Sequence, residues 1–105
     1  MLFRSRRNDV PRRLHLSQAD LTKLPSRSAK QFDLVCANLI YDLLLAERSR
    51  ILNRVASCGT LVLAGILTTQ FERVQRAYEA KGWNLIASRE EKEWKSGAFQ
   101  KRTAG

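Results

Sequence analysis

The chain has 105 residues, 44 % of them hydrophobic, and its 19 Lys+Arg against 10 Asp+Glu give a net charge of +9. That apolar share supports a single domain with one core and excludes wholesale disorder. The basic surplus suits nucleic acid, a ribosomal particle or plain solubility without choosing among them.

Charge is concentrated at the start: residues 1–30 carry eight basic and two acidic side chains, residues 31–105 eleven and eight. The opening "MLFRSRRNDVPRR" reads as a basic helix end and loop over residues 1–13, ahead of a sheet-and-helix unit over 14–105. It has no apolar segment long enough for a signal peptide, and no run approaches the roughly 18 apolar residues of a membrane span. The expected compartment is the cytoplasm. Next, "LHLSQADLTKLP" alternates at Leu14 and Leu16 and ends in polar residues with Pro25, which predicts a short strand followed by a loop.

"FDLVCANLI", residues 32–40, is a continuous apolar run of strand length that ends on an amide, Asn38. From Asp42, a plausible N-cap, the period becomes helical, with Leu44, Arg48, Ile51, Leu52 and Val55 on one spacing. Gly59 is expected to close that helix and open "TLVLAGIL", a second strand apolar throughout. Strands of this kind predict a parallel sheet covered by helices on each face. Thr69 with Glu72 forms a capping-box signature for a helix whose buried stripe is Phe71, Val74, Ala77 and Tyr78, and Gly82 is placed as its left-handed C-terminal residue. "WNLIASRE" and "EWKSGAFQKR" then read as two strands joined by a tight turn. The fold class is α/β: a mostly parallel sheet with an antiparallel C-terminal hairpin. Right-handed crossovers put the carboxyl ends of the parallel strands on one rim, where open α/β sheets bind ligands.

Cys36 and Cys58 have no CxxC spacing, so two reduced thiols are expected rather than a disulfide or zinc site. His15 reads as a surface or edge-strand residue, Asp33 as a structural acid capping a loop or pairing with an arginine, and Trp83 and Trp94 as covers for the sheet edge.

The series "QADL", "DLVCANL", "LVLAGIL" with Gln70 soon after, "AYEAKGW" and Glu93-Trp94, in this order across residues 14 to 102, resembles the class I S-adenosylmethionine-dependent methyltransferases. Within that Rossmann-like class it is most similar to the C-terminal part of the ribosomal protein L-eleven methyltransferase family, and "RRNDV" resembles the end of the family's helix before the third strand. The resemblance implies S-adenosylmethionine as cofactor and a ribosomal protein amine as acceptor. It implies that Asp20 accepts a hydrogen bond from the adenine amino group, with the backbone of Leu21 beside it. Asn38 would orient the acceptor amine on the same cofactor-facing rim. Asp20 also suits a turn or N-cap aspartate, and Asn38 suits a strand-end residue in left-handed geometry or capping the next helix.

The family's glycine-rich G-x-G-x-G turn, which cradles the cofactor's methionine, has no counterpart: glycines stand only at 59, 65, 82, 97 and 105. The sequence therefore reads as a fragment or truncation lacking the cofactor half. The alternative is a non-catalytic remnant or basic module that binds RNA or a ribosomal particle, with the basic N-terminus touching ribosomal RNA. Either way the outer flank of the "FDLVCA" strand is expected to lack a neighbour and to promote self-association. Leu39-Ile40-Tyr41 after Asn38 departs from the proline-proline-aromatic run of enzymes that methylate nucleobases or protein amides.

Overall fold

A computed structural model describes residues 12–23 and 30–102, with Asp20 and Thr22 described by their backbone only. The elements run β1 (Arg13–Leu16), α1 (Gln18–Lys23), β2 (Phe32–Asn38), α2 (Tyr41–Ala46), α3 (Arg48–Leu52), β3 (Val55–Leu67), α4 (Thr68–Glu79), β4 (Trp83–Glu91) and β5 (Trp94–Lys101). They form one five-stranded sheet of order β1-β2-β3-β5-β4, with β1, β2 and β3 parallel and β5 antiparallel to both its neighbours. The expected α/β sheet with its antiparallel hairpin is present. Of the 1–13 basic segment only Arg12 and Arg13 are described, and Arg13 already belongs to β1; Pro25 falls outside the described residues.

Several local expectations are corrected. The stretch after β1 is a six-residue helix rather than a loop: the Leu21 N–H donates to the Ser17 carbonyl at 3.0 Å, and Leu21 is buried. The single helix expected from Asp42 is two, broken at Glu47 (φ −107°, ψ 21°). The Arg48 guanidinium donates to the Leu45 carbonyl at that break, satisfying an acceptor that continued helix would have used. Ile40, not Asp42, is the N-cap of α2. Asp42 lies in the first turn, where its charge still opposes the positive end of the helix dipole.

Val55 belongs to β3 and pairs with Phe32, so β3 is 13 residues long and passes through Gly59. There a Cβ would come within 2.9 Å of both the Phe32 and Asp33 carbonyl oxygens, which explains a glycine inside a strand. α4 begins at Thr68 rather than after Thr69. Gln70 Oε1 accepts the Leu67 N–H at 3.3 Å, while Glu72 pairs with Arg76 one turn on. Gly82 has the expected positive φ of 90°.

The flank of β2 expected to be open is taken by β1, in the register Leu14↔Val35 and Leu16↔Ala37. The outer edges among the described residues are β1 and β4. Helical cover is also one-sided rather than two-sided. Leu16, Val35, Ala37, Leu61, Leu63 and Phe99 join Leu21, Leu44, Ile51, Phe71, Val74 and Tyr78 in one buried cluster. The alternate positions Leu34, Cys36, Thr60, Val62 and Ala98 are only partly buried, and no described helix contributes a residue to a second core over them. Tyr78 bolts α4 to α2 by donating to the Leu44 carbonyl at 2.8 Å. Asp33 is structural as expected: its Oδ2 accepts the Arg12 N–H at 3.0 Å.

Candidate functional site

The parallel strands deliver their carboxyl ends to one rim. Leu16 closes β1 opposite Ala37, and Asn38 closes β2 opposite Ala64, so α1 and the Asn38 amide lie at the same end of the sheet. Asn38 is exposed there, while its neighbours Ala37 and Leu39 are buried. Its side chain makes no hydrogen bond with the described residues. Lys92 at φ 58° is the one non-glycine residue of positive φ among them, and α2 has no side-chain cap. Neither structural role open to this asparagine, left-handed turn or helix cap, is the one it adopts.

What makes room for the amide is Gly65. Its φ is +82°, and a Cβ placed on it would stand 2.6 Å from Asn38 Oδ1 and 3.3 Å from the Leu39 carbonyl oxygen. The β3–β5 register slips between Leu63 and Ile66, so Gly65 is the residue at which β3 yields to the neighbouring strand end. Next to it opens a cleft of about 260 Å³ lined by Ile40, Tyr41, Asp42, Leu67, Gln70 and Trp94.

The β5 pairing of Trp94 with Leu67 and the 2.8 Å bond from the Thr68 N–H to the Glu93 carbonyl bring the hairpin against the start of α4, forming one wall. Ile40 and Trp94 are 54 % and 48 % exposed, so the apolar walls face solvent. Trp94 thus lines the cleft, whereas Trp83, 5 % exposed, is buried at the start of β4. A cleft with apolar walls, one carboxylate (Asp42) and amides at its edge has the chemistry to accept an alkyl chain bearing a cationic or amine head.

Asp20 is in α1 on the same rim. Leu21, beside it, has both backbone groups engaged: its N–H within α1 and its carbonyl by Arg50 Nη1 at 3.0 Å. Through that carbonyl bond α3 reaches across to hold α1, while Arg50 Nε lies 3.5 Å from Glu47 Oε1 at the start of its own helix. Arg54, one turn further, is buried and donates to the Arg50 carbonyl at 2.8 Å. Burial, and then the Arg50 charge, lower its pKa from the ordinary arginine value. His15 lies exposed on edge strand β1, Cys36 and Cys58 are both free, and no metal-binding cluster occurs among the described residues. No helix of the described residues is long and apolar enough to cross a membrane.

Gly65 and the Trp94 wall are the parts of the site that sequence reasoning did not assign. The available signal was an isolated glycine inside an otherwise apolar strand, which marks a bulge or a close approach. For the cofactor's methionine moiety the residues do not fit, since no glycine-rich turn is present to cradle it.

Comparison with known proteins gives this rim its context. The family model for Ribosomal protein L11 methyltransferase (PrmA) matches residues 4–102. The Ribosomal protein L11 methyltransferase of Geotalea uraniireducens is 33 % identical over 93 residues, covering 89 % of this chain and 28 % of its own length. That of Desulforapulum autotrophicum is 33 % identical over 73 residues, covering 70 % of this chain and 24 % of its own. A crystal structure of a ribosomal protein L11 methylase from Lactobacillus delbrueckii subsp. bulgaricus superposes with a TM-score of 0.66 at 19 % identity. It covers 70 % of this chain and 38 % of that one, a likeness of fold. The chain spans about a quarter of the length of the curated relatives it matches. On the family match, the chain belongs to the ribosomal protein L11 methyltransferase (PrmA) family.

Proposed function

We propose that this chain carries the acceptor side of an S-adenosylmethionine-dependent protein methyltransferase, in which Asn38 orients an amine of a ribosomal protein. The observation that carries the reading is the uncommitted Asn38 amide, held over Gly65 at the rim beside a cleft with apolar walls. Methyl transfer to nitrogen needs a neutral lone pair held at a near-attack angle more than it needs a strong base. An amide oxygen accepts an amine N–H without favouring the ammonium form, as a carboxylate would. Ile40 and Trp94 would line the methylenes of a lysine side chain, and Asp42, exposed at the cleft, would steer the incoming ammonium before it gives its proton to solvent and meets Asn38 as the neutral amine.

Asp20 would read the adenine amino group from α1. Leu21 would contribute by seating α1 in the core, since its backbone groups are already bonded. S-adenosylmethionine supplies the methyl group in this family. The glycine-rich cradle for it is not in these 105 residues, so the chain by itself is expected to bind the cofactor weakly or not at all. Micromolar affinity in a calorimetric titration would overturn that expectation. The setting is the cytoplasm, where ribosomal proteins are made.

The acceptor reading is tested by titrating Nα-acetyl-lysine methylamide and following Trp94 emission together with the Asn38 side-chain amide resonance. Both should move along one saturable curve. If neither signal responds at millimolar ligand, the cleft is not an amine site. The missing cradle also supports a second reading, a non-catalytic chain retaining only binding. It predicts an amine titration curve like the first, but no methyl transfer when the 105-residue chain is mixed with a glycine-rich cofactor half.

A further inference from the structure

At the opposite rim, where the parallel strands begin, the described residues enclose a second and larger cleft, of about 510 Å³. Its lining includes Ser49 of α3 and Asn53 just after it, the first residues of β3 (Val55, Ser57), the buried Trp83, and Lys81 and Lys101 from the turn before β4 and the end of β5. The two lysines reach one cleft through backbone geometry. Trp83 pairs with Lys101 across the hairpin, and the Arg102 N–H donates to the Gly82 carbonyl at 2.6 Å, clasping the turn that carries Lys81 to the end of β5.

Both lysines are exposed, and neither makes an ion pair with a described residue. The lining contains no carboxylate. The acid nearest in sequence, Glu79, accepts a hydrogen bond from Gln75 Nε2 at 3.1 Å instead. Serine hydroxyls and two ammonium groups are thus left facing one groove in a chain of net charge +9.

A groove with unneutralised lysines, hydroxyl donors and no acid is built for phosphate oxygens. We infer that this cleft binds the phosphate backbone of single-stranded RNA, without sequence preference, on the face opposite the methyl-acceptor rim. It is separate from the Asn38 site and does not depend on the amine reading. An open groove suits a flexible strand better than a compact anion, because the two ammonium groups come from different elements and can meet successive phosphates. Trp83, 5 % exposed, offers no stacking platform, so affinity rests on ammonium and hydroxyl donors meeting successive phosphates rather than on the bases. The overall positive charge would speed encounter with a polyanion, and the groove would decide where it settles.

The test uses the full 105-residue chain and a fluorescein-labelled 12-nucleotide oligouridylate, followed by anisotropy from about 50 to 200 mM salt. The variants are the double substitution Lys81→Ala/Lys101→Ala and a control, Arg4→Ala/Arg6→Ala/Arg7→Ala, in the basic N-terminus. Circular dichroism checks the fold, which two exposed lysines without partners should leave unchanged. For single strands each phosphate contact adds about 0.7 to the slope of log affinity against log salt. The lysine pair should therefore lower the slope by about 1.4 and weaken binding about tenfold at 50 mM. Poly-glutamate at equal charge should compete poorly.

Three results would each overturn the assignment. One is no binding at 50 mM salt; another is an unchanged slope in the lysine variant with the loss confined to the arginine variant. The third is competition by poly-glutamate as strong as by RNA, which would point to an acidic protein surface instead.

Discussion

Asn38 and Gly65 are spatially coupled: a Cβ added at residue 65 would stand 2.6 Å from the Asn38 Oδ1 atom. The catalytic candidate keeps its place because the strand beside it gives up a side chain. Gly65 is therefore a positioning residue for Asn38, and two effects oppose any replacement. A positive φ of 82° strains an L side chain, and the added methyl drives into the amide oxygen and the Leu39 carbonyl.

Gly65→Ala should accordingly cost about 1–3 kcal/mol of stability and move the Asn38 side-chain amide resonance. Urea denaturation and a nitrogen-correlated spectrum read the two effects separately. A variant of unchanged stability and unchanged Asn38 signal would show that the contact is not felt.

Tyr78 offers a second, independent test in the core. Its hydroxyl donates to the Leu44 carbonyl at 2.8 Å, and burial pushes its pKa above the ordinary tyrosine value of 10.0, with the Arg48 charge acting the other way. A phenol held neutral in the fold binds its proton more tightly folded than unfolded. The associated stability is therefore complete below pH ~10 and is lost as pH rises beyond it. The urea midpoint should fall above pH ~10. Tyr78→Phe should cost about 1–2 kcal/mol at neutral pH by stranding the Leu44 carbonyl, and should remove that alkaline component. An alkaline fall of equal size in the variant would assign it to other groups.

Arg50 tests the link between α3 and α1. Its Nη1 holds the Leu21 carbonyl at 3.0 Å, while Glu47 Oε1 stands 3.5 Å from its Nε in a partly exposed pair. Arg50→Met should destabilise by about 1–2 kcal/mol and speed hydrogen exchange at Leu21, because a carbonyl beside a buried residue loses its donor. Glu47→Gln should cost less than about 0.5 kcal/mol, since a partly exposed ion pair at 3.5 Å contributes little. If both substitutions cost the same, Glu47 is needed to hold Arg50 in place and the carbonyl contact is not an independent tie between the two helices.

These residues also mark what the sequence could reveal. Strand identity was legible in "FDLVCANLI" and "TLVLAGIL", because long apolar runs bounded by polar residues leave few alternatives, and the family resemblance rested on the same runs. Which faces the helices would cover was not. Apolar residues such as Cys36, Val62 and Ala98 suit burial on both faces, yet among the described residues the core cluster lies on one. α1 escaped notice because six residues burying only Leu21 leave no periodic stripe. The division of α2 from α3 escaped for a different reason: the apolar spacing runs on past Glu47, and the break is made by the Arg48 side chain reaching a carbonyl. Of the site, Asn38 was visible as an amide where a strand ends. Gly65 was not, since its role depends on a cross-strand register that sequence spacing does not encode.

Asn38→Ala separates function from stability most cleanly. The side chain is exposed and makes no hydrogen bond to a described residue, so its removal should change folding free energy by no more than about 0.5 kcal/mol. If it orients the acceptor amine, the same change should abolish the saturable response to Nα-acetyl-lysine methylamide while leaving the Trp94 emission of the free protein unaltered. Asn38→Asp should retain binding but favour the ammonium form, shifting the response toward lower pH than in the parent chain. A parent-like titration by Asn38→Ala would place the amine elsewhere in the cleft, on Asp42 or Gln70, and remove Asn38 from the acceptor role.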